Sequence, residues 1–140
     1  MKTKHAAIVI LMGTIILSLA ACGGAGSAGG DPLDGTSWDL MAYRKSKPIP
    51  GATITATFED GQVRGSAGCN SYFGSYQVDG DVINVGQLGM TEMACLEPEG
   101  VMDQELMYLD FLGDARTFRF SDGQLQIFRP DGEALTFVPQ

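Results

Sequence analysis

The chain has 140 residues, with nine Lys and Arg against seventeen Asp and Glu, a formal net charge of −8 and one histidine, His5. An acidic surface is repelled by phosphate backbones and anionic head groups, so nucleic-acid binding is not expected. The length suits one domain with a modest core.

Lys2, Lys4 and His5 make a basic start, and Ala6 to Ala21 is an apolar run broken only by Gly13, Thr14 and Ser18. A membrane span needs about 20 apolar residues, and this run is shorter, which argues for a removed targeting segment over a transmembrane anchor. Its end, Leu19-Ala20-Ala21-Cys22, resembles a bacterial lipoprotein signal, in which the cysteine takes a diacylglyceryl group before cleavage; an ordinary secretory peptide is the alternative. Lipidation of Cys22 also accounts for an odd total of three cysteines. Residues 1–21 are thus expected as signal, 22–32 as lipidated cysteine and tether, and 33–140 as the domain. Processing leaves seven basic against seventeen acidic residues, a net charge of −10. The tether, Gly23 to Gly30, has the composition of a flexible coil and spans about 15 Å. Gly23 is not an acidic retention signal, so the expected address is the cell envelope: the outer membrane facing the periplasm, or the cell surface.

From Leu33 to Tyr43, Trp38, Leu40 and Ala42 alternate with polar neighbours as inward residues of a first strand. Lys45 to Pro50, with two prolines, reads as an exposed loop. Ile54, Ala56 and Phe58 then alternate with threonines up to Asp60-Gly61, and Asp-Gly recurs at 79, 122 and 131, marking hairpins joined into a meander. Gly65 and Gly68 are costly inside a strand unless backbone approaches closely or bends there. Gly86 to Cys95 is less regular. After Pro98, placed where a first helical turn tolerates it, Met102, Leu106, Leu109 and Leu112 recur at helical spacing and predict one helix, ending near Gly113, that covers an open side of the sheet. Phe118 and Phe120, Leu125 and Ile127, and Leu135 and Phe137 sit two apart, as inward strand positions should. The fold class is therefore mostly β with one main helix, α+β.

The mature chain has no imidazole, which removes Ser-His-Asp and Cys-His chemistry and histidine metal sites. Cys69 and Cys95 lie in no C-x-x-C pair; export favours a disulfide between them, with reactive thiols as the other reading. Joined, they close a loop of about 25 residues, for which chain entropy gives about 3.5 kcal/mol. Met90 and Met93 have a spacing that suits copper(I), but hydrophobic packing is the expected role. Glu97, Glu99 and Glu105 have the residue type for acid and base work in glycoside cleavage, as any acidic protein does. No cofactor is expected. Arg116, Arg119 and Arg129 are expected to face outward as partners of the acidic excess.

Trp38-x-Leu40, Ala56-Thr57-Phe58 before an Asp-Gly turn, Gly65-Ser66-Ala67-Gly68-Cys69-Asn70-Ser71-Tyr72-Phe73-Gly74-Ser75-Tyr76, Thr91-x-Met93-Ala94-Cys95 and Gln104-Glu105 resemble the META domain of the HslJ-like family over about Leu33 to Val138. Glu92 departs from the basic or apolar residue often found there. The resemblance implies a small curved antiparallel sheet closing toward a β-barrel with the helix packed across it. It also implies envelope lipoproteins linked to heat shock and novobiocin tolerance, without established catalysis or cofactor. The expected function is a non-enzymatic, membrane-tethered binding or stress-response module, a monomer whose partner is an envelope protein or small ligand. Its expected contact surface is Asn70, Ser71, Tyr72 and Phe73 with Gly89, Met90, Thr91 and Glu92, as exposed loop residues on a rigid frame. The alternative is an inhibitor of an extracellular protease or other hydrolase, using the loop after Lys45.

Overall fold

Polar and apolar residues alternating with a period of two, cut by glycine turns, produce nine strands among the described residues. They are β1 (Thr36–Tyr43), β2 (Thr55–Glu59), β3 (Gln62–Ser66), β4 (Ser71–Asp79), β5 (Val82–Val85), β6 (Gly89–Met90), β7 (Thr117–Ser121), β8 (Gln124–Phe128) and β9 (Ala134–Pro139), with the helix α1 (Val101–Gly113) between β6 and β7. The structure is a computed structural model and describes residues 30–140. The signal segment and Cys22 lie outside the described residues, as does all of the expected tether before Gly30. Among the described residues no helix is long and apolar enough to cross a membrane.

The strands form one antiparallel sheet in the order β3-β2-β1-β9-β8-β7-β5-β4-β6, and β3 also pairs with β4, so the hydrogen bonds run around a ring. The first and last strands are neighbours in that ring, with Leu40 opposite Phe137. The tightest hairpins are built where expected: Asp60 and Gly61 (φ +51° and +71°) and Asp122 and Gly123 (φ +53° and +75°) are left-handed at both central positions, the geometry that matches strand twist. The narrowest seam is β5 with β7, where only Val82 and Thr117 are opposed. β6 continues β5's side of β4, setting Gly89 against Phe73 and Met90 against Tyr72.

Inside the ring, Ala56, Phe58, Val63, Ile83, Leu125, Ile127, Leu135 and Phe137 are fully buried. Helix α1 crosses the end of the ring where β1, β3 and β8 finish and β2, β4 and β9 begin. There Phe111 meets Tyr43 edge to face at 5.5 Å, and Tyr108 meets Tyr72 at the same distance.

Four expectations change. Leu33 is buried, but it sits in a turn before β1, whose backbone N–H donates to Asp31 Oδ1 at 2.9 Å. A bulge between Leu40 and Ala42 breaks the alternation, so Met41 faces out and Tyr43, instead of Ala42, continues the inner face. The buried stripe of α1 is Val101, Glu105, Tyr108 and Leu112 with Phe111, while Leu106 is exposed; Pro98 precedes the helix, its carbonyl accepting from Val101 N at 3.1 Å. Phe120 is exposed because β7 there extends past β5 and has β8 alone beside it; its ring rests on Trp38 at 5.8 Å.

Candidate functional site

The two motifs that stand far apart in the chain, Gly68-Cys69-Asn70 and Met93-Ala94-Cys95, meet at one junction with α1. Cys69 and Cys95 form a disulfide with their Cα atoms 5.9 Å apart. Beside it, Asn70 is buried and uses its whole amide. Its Nδ2 donates to Glu105 Oε1 at 2.7 Å and to the Met93 carbonyl at 3.2 Å, while its Oδ1 accepts from Met93 N at 2.7 Å and Thr91 Oγ1 at 2.8 Å. Glu105, fully buried, also accepts from the backbone N–H groups of Asn70 (2.6 Å) and Cys69 (3.2 Å) through Oε2. A carboxylate away from water needs such donors. Here they come from a loop that has no regular ladder of its own. Glu105 is therefore a crosslink between helix and sheet.

A second buried polar chain runs alongside. Tyr72 donates its hydroxyl proton to the Thr55 carbonyl at 2.9 Å, so in the 2.7 Å contact between the two phenols Tyr108 is the donor. Burial pushes the Tyr72 hydroxyl well above its usual range, with the Tyr108 hydrogen bond partly opposing; burial does the same to Tyr108, reinforced by Tyr72. Gly65 makes room for this chain, because a Cβ there would collide with the Thr55 carbonyl that Tyr72 reaches. The glycine motif is thus read correctly as a crowded strand.

These contacts divide the expected contact surface. Asn70 and Tyr72 are buried structural groups and cannot meet a partner. Ser71 and Phe73 of β4, and Met90, Thr91 and Glu92, are exposed, whereas Gly89 is half-buried under the Phe73 ring. Met93 and Leu96 add exposed apolar side chains, the latter 88% accessible. The copper reading has lost its thiolate to the disulfide. Glu97 and Glu99 are exposed while Glu105 is enclosed, so the three acids share no cleft. Among the described residues no group of three or more His, Cys, Asp or Glu is placed to hold a metal. Arg129 is less exposed than expected: it bonds Asp114 at 2.6 Å and Asp110 at 3.3 Å and lies over the Phe111 ring.

A feature the sequence did not announce lies where β1 runs into the loop after it. A pocket of about 340 Å³ opens between that loop and α1, with Leu40, Ile54 and Tyr108 as its floor and Arg44, Lys47 and Ile49 at its rim. Gln104 fixes the loop, its Oε1 accepting from Ile49 N at 2.6 Å, while its Nε2 is buried without an acceptor, a cost of about 1–3 kcal/mol. The signal in the sequence was the clustering of Arg44, Lys45 and Lys47 in an acidic chain.

Comparison with known proteins accords with this architecture. An NMR structure of a protein from Burkholderia xenovorans is similar at a TM-score of 0.63 and 29% identity, covering 83% of this chain and 94% of that one. A second NMR structure is similar at a TM-score of 0.62 and 20% identity, covering 76% and 91%. The crystal structure of a DUF4847 family protein from Bacteroides vulgatus shares the fold at a TM-score of 0.56 and 15% identity, covering 76% and 94%. No curated protein matches the sequence. The META domain model matches residues 31–140, beginning two residues before the expected boundary. The chain belongs to the META domain family.

Proposed function

We propose that the protein is a non-enzymatic lipoprotein of the bacterial envelope, held to a membrane by lipid on Cys22, whose META domain serves as a binding or stress-response module. The observation that carries this reading is the junction at Asn70. A disulfide and a saturated amide–carboxylate pair fix the backbone on both sides of an otherwise irregular segment, and they leave Phe73, Met90, Met93 and Leu96 exposed beside it. Ordering such a segment before a partner arrives lowers the entropy lost on binding. The polar groups most shielded from water there, Asn70 and Glu105, are spent on one another, on the Thr91 hydroxyl and on the backbone, which is the use of a frame. The partner is an envelope protein or small ligand, met by a monomer without nucleic acid.

The inhibitor reading has less support. The segment after Lys45 is pinned to α1 through Ile49 and closed by the Tyr43–Ser46 bridge, so it lies against its own domain.

Two measurements test the proposal. A radioactive fatty acid should label the wild-type chain in cells and not the Cys22→Ser chain; label on both removes the anchor. A photo-crosslinking amino acid at position 73 should give a discrete adduct in the envelope that the same probe at Asp131 does not. Identical adducts from both positions remove the assigned surface.

A further inference from the structure

The pocket beside α1 is independent of the Phe73 surface and has a chemistry of its own. Its floor is apolar and its rim is cationic, in a domain whose surface is otherwise dominated by acid. Three of the nine basic residues, Arg44, Lys45 and Lys47, fall within four positions. Arg44 and Lys47 line the pocket. Arg44 is held there by a left-handed backbone, φ +56°, a conformation a bulky side chain adopts only when the surroundings impose it. What imposes it is a tight turn: Tyr43 and Ser46 exchange backbone hydrogen bonds at 2.9 Å, and Arg44 N donates to the Ala134 carbonyl at 2.9 Å. The Arg44 guanidinium is partly neutralised by Glu133 at 2.6 Å, whereas Lys47 has no ion pair among the described residues. On the opposite wall, Gln104 Oε1 accepts from Ile49 N and fixes the loop against α1.

We infer that this pocket binds a small amphipathic monoanion, with its apolar body on Leu40, Ile54 and Tyr108 and its anionic head at Lys47 and Arg44. A volume of about 340 Å³ lies at the lower end of the range for small-molecule sites, about 300–1,000 Å³, and suits one ring system or short chain. It is too small to enclose both chains of a membrane phospholipid, which favours a free molecule as the source of the anion. Lys47 supplies a charge-assisted contact, and the preset turn avoids much of the entropy cost of ordering the rim.

The test uses the intact chain in nanodiscs of zwitterionic phospholipid, carrying ¹³C-methyl methionine. Met107 lines the pocket, whereas Met90 and Met93 lie outside its lining and serve as internal controls. Naphthaleneacetate should shift the Met107 methyl signal saturably, and the neutral amide of the same ring should bind about tenfold more weakly, the value of one charge-assisted hydrogen bond. Lys47→Glu should weaken the acid by about tenfold or more and Lys47→Arg should restore it. Lys45→Glu, outside the lining, should weaken binding clearly less than Lys47→Glu does, because an exposed charge without direct contact is attenuated by solvent and salt. Equal binding of acid and amide, indifference to Lys47→Glu, shifts at Met90 and Met93 without Met107, or no shift at all would overturn the inference. A Met107 shift seen only when phosphatidylglycerol is added to the nanodiscs would also overturn it, by assigning the anion to lipid.

Discussion

Asn70 shows how one side chain can take the place of a ladder. Its amide accepts twice and donates twice, joining β4, the segment before Cys95 and the helix. Replacing Asn70 by Ala would strand a buried carboxylate oxygen and the Met93 N–H together, and urea denaturation should show a loss of about 3 kcal/mol. The residue was legible as part of a Gly-Cys-Asn motif and illegible as buried, because its main partner lies 35 positions away on α1. Tyr72 misleads in the same way, an aromatic in a polar run whose hydroxyl is matched by Tyr108. This pair makes a pH prediction. Both hydroxyls hold their protons more tightly in the folded state, so their contribution is complete below the ordinary tyrosine pKa of about 10 and is lost as pH rises above it. Stability should fall on the alkaline side, and tyrosinate absorbance from these two should appear only with unfolding; Tyr72→Phe together with Tyr108→Phe should lessen the fall.

Helix α1 was located from its spacing, and its inner face was read in part: Leu112 is buried and Leu109 packs half-buried against the core, but Leu106 is exposed and the fully buried Val101, Glu105, Tyr108 and Phe111 were not in the expected stripe. Met and Leu at 102, 106, 109 and 112 fit a helical stripe, and so do Val101, Glu105, Tyr108 and Leu112, one register over. Hydrophobicity favours the first set; what decides for the second is that the Asn70 junction needs a carboxylate and Tyr72 needs a phenol from the same face. Leu112→Ala should cost about 2–5 kcal/mol by leaving a cavity, whereas Leu106→Ala, on a side chain 55% exposed, should stay within about 0.5 kcal/mol. Thermal or urea unfolding checks this, and the Leu106 result separates the two stripes, since Leu112 belongs to both. The strands were easier to read, since Asp-Gly turns leave little freedom in where hairpins fold. Their errors, at Ala42 and Phe120, fall where a bulge or an unpaired stretch breaks the period of two.

In the whole molecule, the hairpins were foreshadowed by turn spacing and the helix by its apolar spacing, both local in sequence, whereas the closing of the sheet with the helix across it was foreshadowed only by the family resemblance, because the pair that joins β1 to β9 links the two ends of the domain. The pocket was not, since it exists only where the loop after β1 folds back onto residues from α1. The disulfide ties the irregular segment to this frame and closes a loop of 26 residues, worth about 3.5 kcal/mol. Domain stabilities run to about 5–15 kcal/mol, so the Cys69→Ser, Cys95→Ser chain should remain folded while its Ser71 to Leu96 region exchanges amide hydrogens faster, measured by mass spectrometry. That separation allows a decisive measurement of whether recognition depends on a surface held in one geometry. With the photo-crosslinking residue at position 73 in cells, the wild-type disulfide chain should yield a discrete adduct, and the double-serine chain, folded and equally abundant, should lose most of it. Equal adduct from both chains would contradict the account.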